Sequence, residues 1–229
     1  MQCATVGIEQ HVPAFGFHKR NRNSASASQE VVYIVDHDPS MRESLANLLA
    51  ALGRYSVAFS SAEDYLEADR TDSTACLILD LQLPDMNGLD LQHRLAKEYG
   101  PPVIFLSSYA DVRSIVRAMK AGAVEFLTKP VSQTLLEAAI DSALALDHKR
   151  RHQRRELESL RERFTLLTPR EREVLPLVTH GLLNKQAAAM LGIKEVTLQV
   201  HRGQIMRKLA ARSFAELVRM AEKLGLSSS

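Results

Sequence analysis

The chain has no Trp, only two Cys, few aromatic residues (5%) and no long apolar run. No stretch reaches the roughly 18 consecutive apolar residues of a membrane-spanning helix. The N-terminus lacks a basic segment leading into an apolar core, so export is not expected and the cytoplasm is the expected location. Two cysteines are too few for a disulfide framework, and Cys3 and Cys76 lack metal-ligand spacing. Cys76 falls in the apolar run Ala75-Cys76-Leu77-Ile78-Leu79 and reads as a core residue. What is present is an ordinary globular composition, 45% hydrophobic and 24% charged, over 229 residues. That length can hold two domains, each burying its own core.

The net charge of +2 conceals a division along the chain. Residues 30–146 carry 9 Lys+Arg against 17 Asp+Glu, a charge of −8, whereas residues 147–229 carry 17 against 9, a charge of +8. Residues 1–29 hold the remaining +2. A basic half joined to an acidic one suggests that the second half meets a polyanion, most simply nucleic acid.

Residues 1–29 show no helical or strand period and end in a Ser/Ala tract, which predicts a disordered tail. From residue 30 to 146, short apolar runs alternate with amphipathic stretches. The strand candidates are Val31–Val35, Ser56–Phe59, Ala75–Leu79, Val103–Leu106 and Val124–Leu127. Between and after them, helices are expected to bury Met41, Leu45, Leu48, Leu49 and Leu52, then Val112, Ile115, Val116 and Met119, then Leu136, Ile140 and Leu144. Five βα units with apolar strands predict an α/β doubly wound, five-stranded parallel sheet of the flavodoxin-like class. Residues 147–166 form a highly charged stretch free of Gly and Pro, read as a solvated helical linker. Residues 167–229 predict an all-α, four-helix unit. Thr168, Pro169 and Glu171 supply a capped start, and Ser213 with Glu216 opens the last helix.

In such a sheet, ligands bind beyond the carboxyl ends of the strands. There the sequence places Asp36-His37-Asp38, Asp80, Ser107-Ser108 and Lys129-Pro130. These residue types suit transfer of a phosphoryl group to a carboxylate. A nucleophilic Asp needs a divalent cation to bring two anions together, a hydroxyl for a phosphoryl oxygen and an ammonium to offset charge. Asp80 is the candidate nucleophile, Asp36 a metal ligand, Ser107 the hydroxyl and Lys129 the ammonium, with Mg²⁺ the best-fitting ion.

The stretches VYIVDHDPSMRESL, LILDLQLPDMNGLDL, VIFLSSYAD and RAMKAGAVEFLTKP resemble the receiver domain of FixJ/NarL-class response regulators. This resemblance implies that Asp80 is the phosphoacceptor and that Asp36, Asp80 and the Gln82 backbone carbonyl hold the metal. It also implies that Ser107 and Phe126 form the switch, that the Lys129–Pro130 bond is cis, and that a sensor histidine kinase is the partner. One residue departs from the pattern: His37 stands where the family has a second Asp, offering a neutral nitrogen donor. Weaker Mg²⁺ binding is therefore expected. Asp38 reads as a helix cap before Pro39, with metal ligation as its alternative.

LTPREREVL, GLLNKQAAAMLGI and TLQVHRGQIMRKLAARS resemble the LuxR-type helix-turn-helix domain. On the recognition helix, Leu198, His201, Ile205 and Leu209 follow the spacing of a core face, leaving Gln199, Val200, Gly203 and Arg207 opposite. The resemblance implies that Thr197, Gln199, Val200 and Gly203 meet double-stranded DNA in the major groove; Gln suits adenine and Val a thymine methyl. Lys185, Arg202, Arg207 and Lys208 are expected at phosphates. Pro176 inside a helix costs roughly 3 kcal/mol if uncompensated, and Lys194 stands where a capping Ser or Thr is usual.

The functional expectation is a response regulator and transcription factor, not an enzyme, whose phosphorylation promotes homodimerisation and DNA binding. One rival keeps the architecture as a phosphorylation-independent pseudo-receiver, supported by His37. Another is a haloacid-dehalogenase-like phosphatase, since Asp36-His37-Asp38-Pro39-Ser40 fits its nucleophile motif. The acidic pair that such a phosphatase needs after its Lys is represented only by Glu137 and Asp141, on a helix.

Overall fold

A computed structural model of the chain describes residues 30–70, 72–108 and 111–226; the expectation of a disordered tail at 1–29 lies outside the described residues. Strand β1 (Val31–Val35) is buried throughout. It pairs in parallel with β2 (Tyr55–Phe59) on one side and β3 (Ala75–Leu79) on the other. With β4 (Val103–Ser107) and β5 (Glu125–Thr128), the sheet order is β2-β1-β3-β4-β5, all parallel. The predicted strands differ from these only by one residue at some ends.

Helices cover both faces, which is why β1, β3 and β4 carry apolar residues without alternation. On one face Tyr33, Val35, Leu77, Leu79 and Phe105 pack with Tyr65 of α2 (Ala62–Glu67) and with Leu91 and Leu95 of α3 (Gly88–Lys97). On the other, Val32, Ile34, Cys76, Ile78 and Ile104 pack with Leu45 and Leu49 of α1 (Pro39–Ala51). Leu136, Ile140 and Leu144 of α5 (Gln133–Thr165) complete that layer as predicted. Burial pushes the Cys76 thiol up to about 12, as an inert core position requires.

Helix α4 (Val112–Lys120) reverses its expected orientation. Only Ala118 is buried; Val112 is 75%, Val116 44% and Met119 41% exposed, with Ile115 half-buried. The helix meets the sheet through Ala118, where Gln92 Nε2 also donates to Ala118 O at 3.0 Å. Its apolar stripe is left facing outward. An amphipathic period shows which residues share a side, but not which side faces the sheet.

The 33-residue α5 is about 50 Å long at the usual rise per residue. Its charged second half is largely solvent-exposed but is anchored at particular residues. Asp147 is buried, and its Oδ2 accepts from Ala75 N at 2.9 Å and from Arg151 Nε at 2.6 Å. Arg151 also pairs with Asp72. Further along, Leu160 and Phe164 enter a third core with Val174, Leu175, Leu198, Ile205 and Leu217.

That core belongs to α6 (Pro169–Thr179), α7 (Asn184–Met190), α8 (Glu195–Leu209) and α9 (Phe214–Lys223). The Thr168–Glu171 capping box forms as read: Thr168 N donates to Glu171 Oε2 at 2.7 Å, and Glu171 N to Thr168 Oγ1 at 3.3 Å. At α9 the pattern differs by one residue, since Glu216 Oε2 accepts from Arg212 N and not from the Ser213 cap. Helix α6 runs through Pro176, and Lys194 at the start of α8 makes no side-chain cap.

Candidate functional site

Strand order reverses between β1 and β3, and a parallel sheet opens a crevice for ligands at the carboxyl ends of such a pair. The register Val35↔Leu79 therefore sets Asp36 and Asp80, the next residues of each strand, side by side. Both are buried, as is Ser107 at the end of β4. Lys129 follows β5; its N–H donates to Ser107 O at 3.0 Å, and its bond to Pro130 is cis. Its Nζ lies 2.6 Å from Asp36 Oδ2 and 3.6 Å from Asp80 Oδ2.

Two buried carboxylates against one ammonium leave a net negative charge in a poorly solvated place. Uncompensated burial of charge is costly, so the arrangement favours an added cation. Asp36 is held further: its Oδ1 accepts from Asp38 N at 2.9 Å, and its backbone oxygen from Arg42 Nη1 at 2.7 Å. His37, 54% exposed, places Nδ1 3.1 Å from Asp80 Oδ2 and 3.9 Å from Asp36 Oδ1. One donor atom from each of Asp36, His37 and Asp80 lies within 4.8 Å of the others, a set that fits a divalent ion.

Asp38 caps α1, its Oδ1 accepting from Ser40 N at 2.9 Å, so it serves the helix and not the cluster. Asp141 pairs with Arg54. Gln82 lies two residues beyond Asp80, in an isolated bridge with Asn87. Phe126 is half-buried and stacks on Phe105, with ring centroids 5.5 Å apart and planes at 20°.

Two residues that shape this site were not singled out from the sequence. A Cβ at Gly88 would stand 2.4 Å from Asp80 O, so only glycine lets α3 begin directly beneath the Asp80 backbone. Its signal lay in the Asn87-Gly88 pair of the receiver-like motif. Asp85 accepts from Ala62 N at 3.2 Å and Glu63 N at 2.7 Å, tying the loop after Asp80 to the first turn of α2. Burial raises the pKa of its carboxyl, but the Glu63 and Ala62 N–H groups outweigh that effect and hold it below the ordinary carboxylate value.

In the second unit, Leu198, Ile205 and Leu209 of α8 are buried and His201 is half-buried. Thr197, Gln199, Val200, Gly203 and Arg207 are exposed, as is Lys185 on α7. No atom lies within 4 Å of a Cβ built at Gly203, so internal packing does not demand a glycine there. Arg202 and Lys208 are half-buried and also make contacts within the unit. Arg202 bonds Asn184 Oδ1 at 3.0 Å and lies over the Phe214 ring at 4.4 Å, joining α8 to α7 and α9. Lys208 Nζ reaches the buried Glu171 Oε2 at 2.6 Å. No helix among the described residues is long and apolar enough to cross a membrane.

Comparison with known proteins adds the family. Residues 32–141 match the response regulator receiver domain, and residues 165–221 match the bacterial regulatory proteins of the luxR family. Nodulation protein W of Bradyrhizobium diazoefficiens is 42% identical over 94% of this chain and 95% of its own length. Response regulator protein TodT of Pseudomonas putida is 42% identical over 85% of this chain and 86% of its own. The solved structure of response regulator StyR aligns with a TM-score of 0.74 at 44% identity, covering 85% of this chain and 99% of that one. Full-length FixJ from B. japonicum gives 0.51 at 34%, covering 86% and 98%. The chain belongs to the two-component response regulators that join a receiver domain to a LuxR-family DNA-binding domain.

Proposed function

We propose that a sensor histidine kinase phosphorylates Asp80 and that the phosphorylated protein dimerises and binds double-stranded DNA in the cytoplasm. One observation carries this reading: two buried carboxylates share one ammonium, with Lys129 Nζ 2.6 Å from Asp36 and 3.6 Å from Asp80. In the transfer, an Asp80 carboxylate oxygen attacks the phosphorus of a phosphohistidine. A P–O bond forms, the P–N bond breaks, and the imidazole leaves with the bonding pair and takes up a proton. Lys129 offsets the charge that gathers on the phosphoryl oxygens, and the Ser107 hydroxyl donates to one of them.

Asp36, Asp80, the Gln82 carbonyl and His37 are the groups that would hold a divalent ion, Mg²⁺ by family. When bound, it supplies the charge neutralisation that lets two anions meet. His37 brings nitrogen where a hard oxygen anion is usual and weakens that binding.

After transfer, Ser107 is drawn toward the phosphate and Phe126 follows it. The outward stripe of α4 (Val112, Val116, Met119) then becomes the contact between two copies. Two recognition helices gain avidity on a paired site. Gln199, Val200 and Thr197 face base edges, Gly203 allows close approach, and Lys185 and Arg207 meet phosphates. Arg202 and Lys208 hold α8 in position from within.

Intact-mass measurement after incubation with acetyl phosphate and Mg²⁺ tests the reading. One phosphoryl group is expected on the wild type and none on Asp80→Ala, with light scattering reporting a doubled mass. A second reading, a pseudo-receiver that acts without phosphate, is favoured by the contact of His37 Nδ1 with Asp80 at 3.1 Å. Absence of mass gain at every Mg²⁺ concentration, with dimerisation and DNA binding intact, is its signature.

A further inference from the structure

Among the described residues, one set of three metal-ligating side chains comes together: Asp36, His37 and Asp80. Two of its donors are buried carboxylates and the third is an imidazole nitrogen. Asp38, the next acid along the chain, is committed to Ser40 N as the cap of α1, so no further carboxylate joins the set.

The donors are arranged around one space. Lys129 Nζ takes Asp36 Oδ2 at 2.6 Å. His37 Nδ1 lies against the other oxygen of that carboxylate, 3.9 Å from Asp36 Oδ1, and 3.1 Å from Asp80 Oδ2. Asp36 Oδ1 is pinned in turn by the Asp38 N–H at 2.9 Å. An octahedral ion with ligands at about 2.0–2.2 Å sets neighbouring ligand atoms roughly 3 Å apart. His37 Nδ1 and Asp80 Oδ2 already stand at that spacing, and a ring 54% exposed has room to turn the remaining distance toward Asp36.

A ring so placed has two uses, which require different tautomers. With the proton on Nδ1 it donates to Asp80; with the proton on Nε2 the Nδ1 lone pair is free to coordinate, and water accepts the Nε2–H. The kind of ion decides how much that lone pair contributes. Mg²⁺ is held by oxygen and by ligand charge, so a neutral nitrogen adds little to its binding. First-row transition dications gain from imidazole, and their affinity for mixed nitrogen and oxygen sites rises from Mn²⁺ through Co²⁺ to Cu²⁺. One residue therefore weakens the hold on Mg²⁺ and strengthens the hold on the other class.

Resting on the reading of Asp80 as phosphoacceptor, we propose that this acceptor site is matched to a first-row transition dication in place of Mg²⁺, with His37 Nδ1 as a direct ligand beside Asp36 and Asp80. Phosphoryl transfer to Asp80 thereby depends on the supply of such an ion as well as on the kinase.

The test uses the full chain without an affinity tag and Co²⁺ as the probe. His148 and His152, exposed four residues apart on α5, are both replaced by Ala to remove a competing pair of imidazoles. Paramagnetic proton NMR of the Co²⁺ form should show one strongly shifted, solvent-exchangeable signal, the Nε2–H of a coordinated imidazole, and His37→Asp should remove it. Calorimetry should give one Co²⁺ per chain, bound roughly 100-fold or more tighter than Mg²⁺, and His37→Asp should shrink that ratio by roughly tenfold or more. Because His37 is exposed, its substitution leaves the fold intact, which the melting midpoint checks. By intact mass with acetyl phosphate, the His37-containing chain should gain its phosphoryl group at a Co²⁺ concentration roughly tenfold or more below the Mg²⁺ it needs. If the shifted proton is absent, or the Co²⁺ to Mg²⁺ ratio is the same in His37→Asp, while Asp80 still gains a phosphoryl group with Mg²⁺, the metal assignment is overturned and the phosphoacceptor reading stands. Binding of neither ion, with no mass gain, overturns both.

Discussion

The Asp147 carboxylate accepts the backbone N–H of Ala75 at 2.9 Å, so the first residue of β3 is fastened to the middle of α5. The same strand leads directly into Asp80, and the same helix ends in the DNA-binding core. Asp147→Ala leaves a buried N–H without a partner and should cost about 1–3 kcal/mol of stability. Asp147→Asn, which keeps an acceptor oxygen, should cost less. Urea denaturation of the two variants measures the difference.

His37→Asp restores a hard oxygen ligand beside Asp36 and Asp80. Calorimetric Mg²⁺ affinity should rise by roughly tenfold or more, and phosphorylation by acetyl phosphate should proceed at lower Mg²⁺. Without metal the variant should be less stable than the wild type, because three acids then crowd one ammonium. An unchanged Mg²⁺ affinity would remove His37 from the account of the metal site.

Gly203→Ala separates folding from recognition. Alanine in a helix interior is favoured over glycine by roughly 0.5–1 kcal/mol, and the Cβ meets nothing within 4 Å. The variant should melt higher yet bind operator DNA more weakly, in a gel-shift titration at fixed salt.

The outward stripe of α4 predicts a surface phenotype. Val116→Lys should leave stability within about 0.5 kcal/mol of the wild type, as exposed positions do. Dimerisation after phosphorylation should nevertheless be lost, because an ammonium would be trapped in an apolar contact. Light scattering before and after acetyl phosphate gives the answer.

The Glu171–Lys208 pair gives the DNA-binding unit an acid limit. Burial raises the pKa of the Glu171 carboxyl, but its bonds with Lys208 and Thr168 prevail and hold it below its ordinary 4.5. A carboxyl depressed in the folded state contributes stability above its unfolded pKa and loses it as pH falls through the folded one. Helical content of residues 167–226 should therefore decline as pH drops below about 4.5. Glu171→Gln should flatten that dependence while being less stable at neutral pH; circular dichroism across pH reads both.

Much of this architecture can be traced to local pattern. Apolar runs such as Val31–Val35 and Ala75–Leu79 have room only in a sheet covered on both faces. Once parallel register is adopted, Asp36 and Asp80 must become neighbours, since each is the next residue after paired strands. The capping box at Thr168 and the helix cap at Asp38 depend on contacts within a few residues, which is why both could be read in advance.

Other features depend on partners distant in the chain. Asp147 is one acid in a long charged run, and its burial follows from where α5 crosses the start of β3. Arg202 and Lys208 look like free cations until Asn184, Phe214 and Glu171 are brought beside them. The stripe on α4 has the same period whether it faces the sheet or solvent. Residue order along the chain thus sufficed for strands, caps, the charge division and the acidic cluster, because each arises from near neighbours or a repeating period. Which polar side chains are held internally, which apolar face stays open, and how α5 couples the two cores were settled only by packing, because those contacts join residues 12 to 72 positions apart.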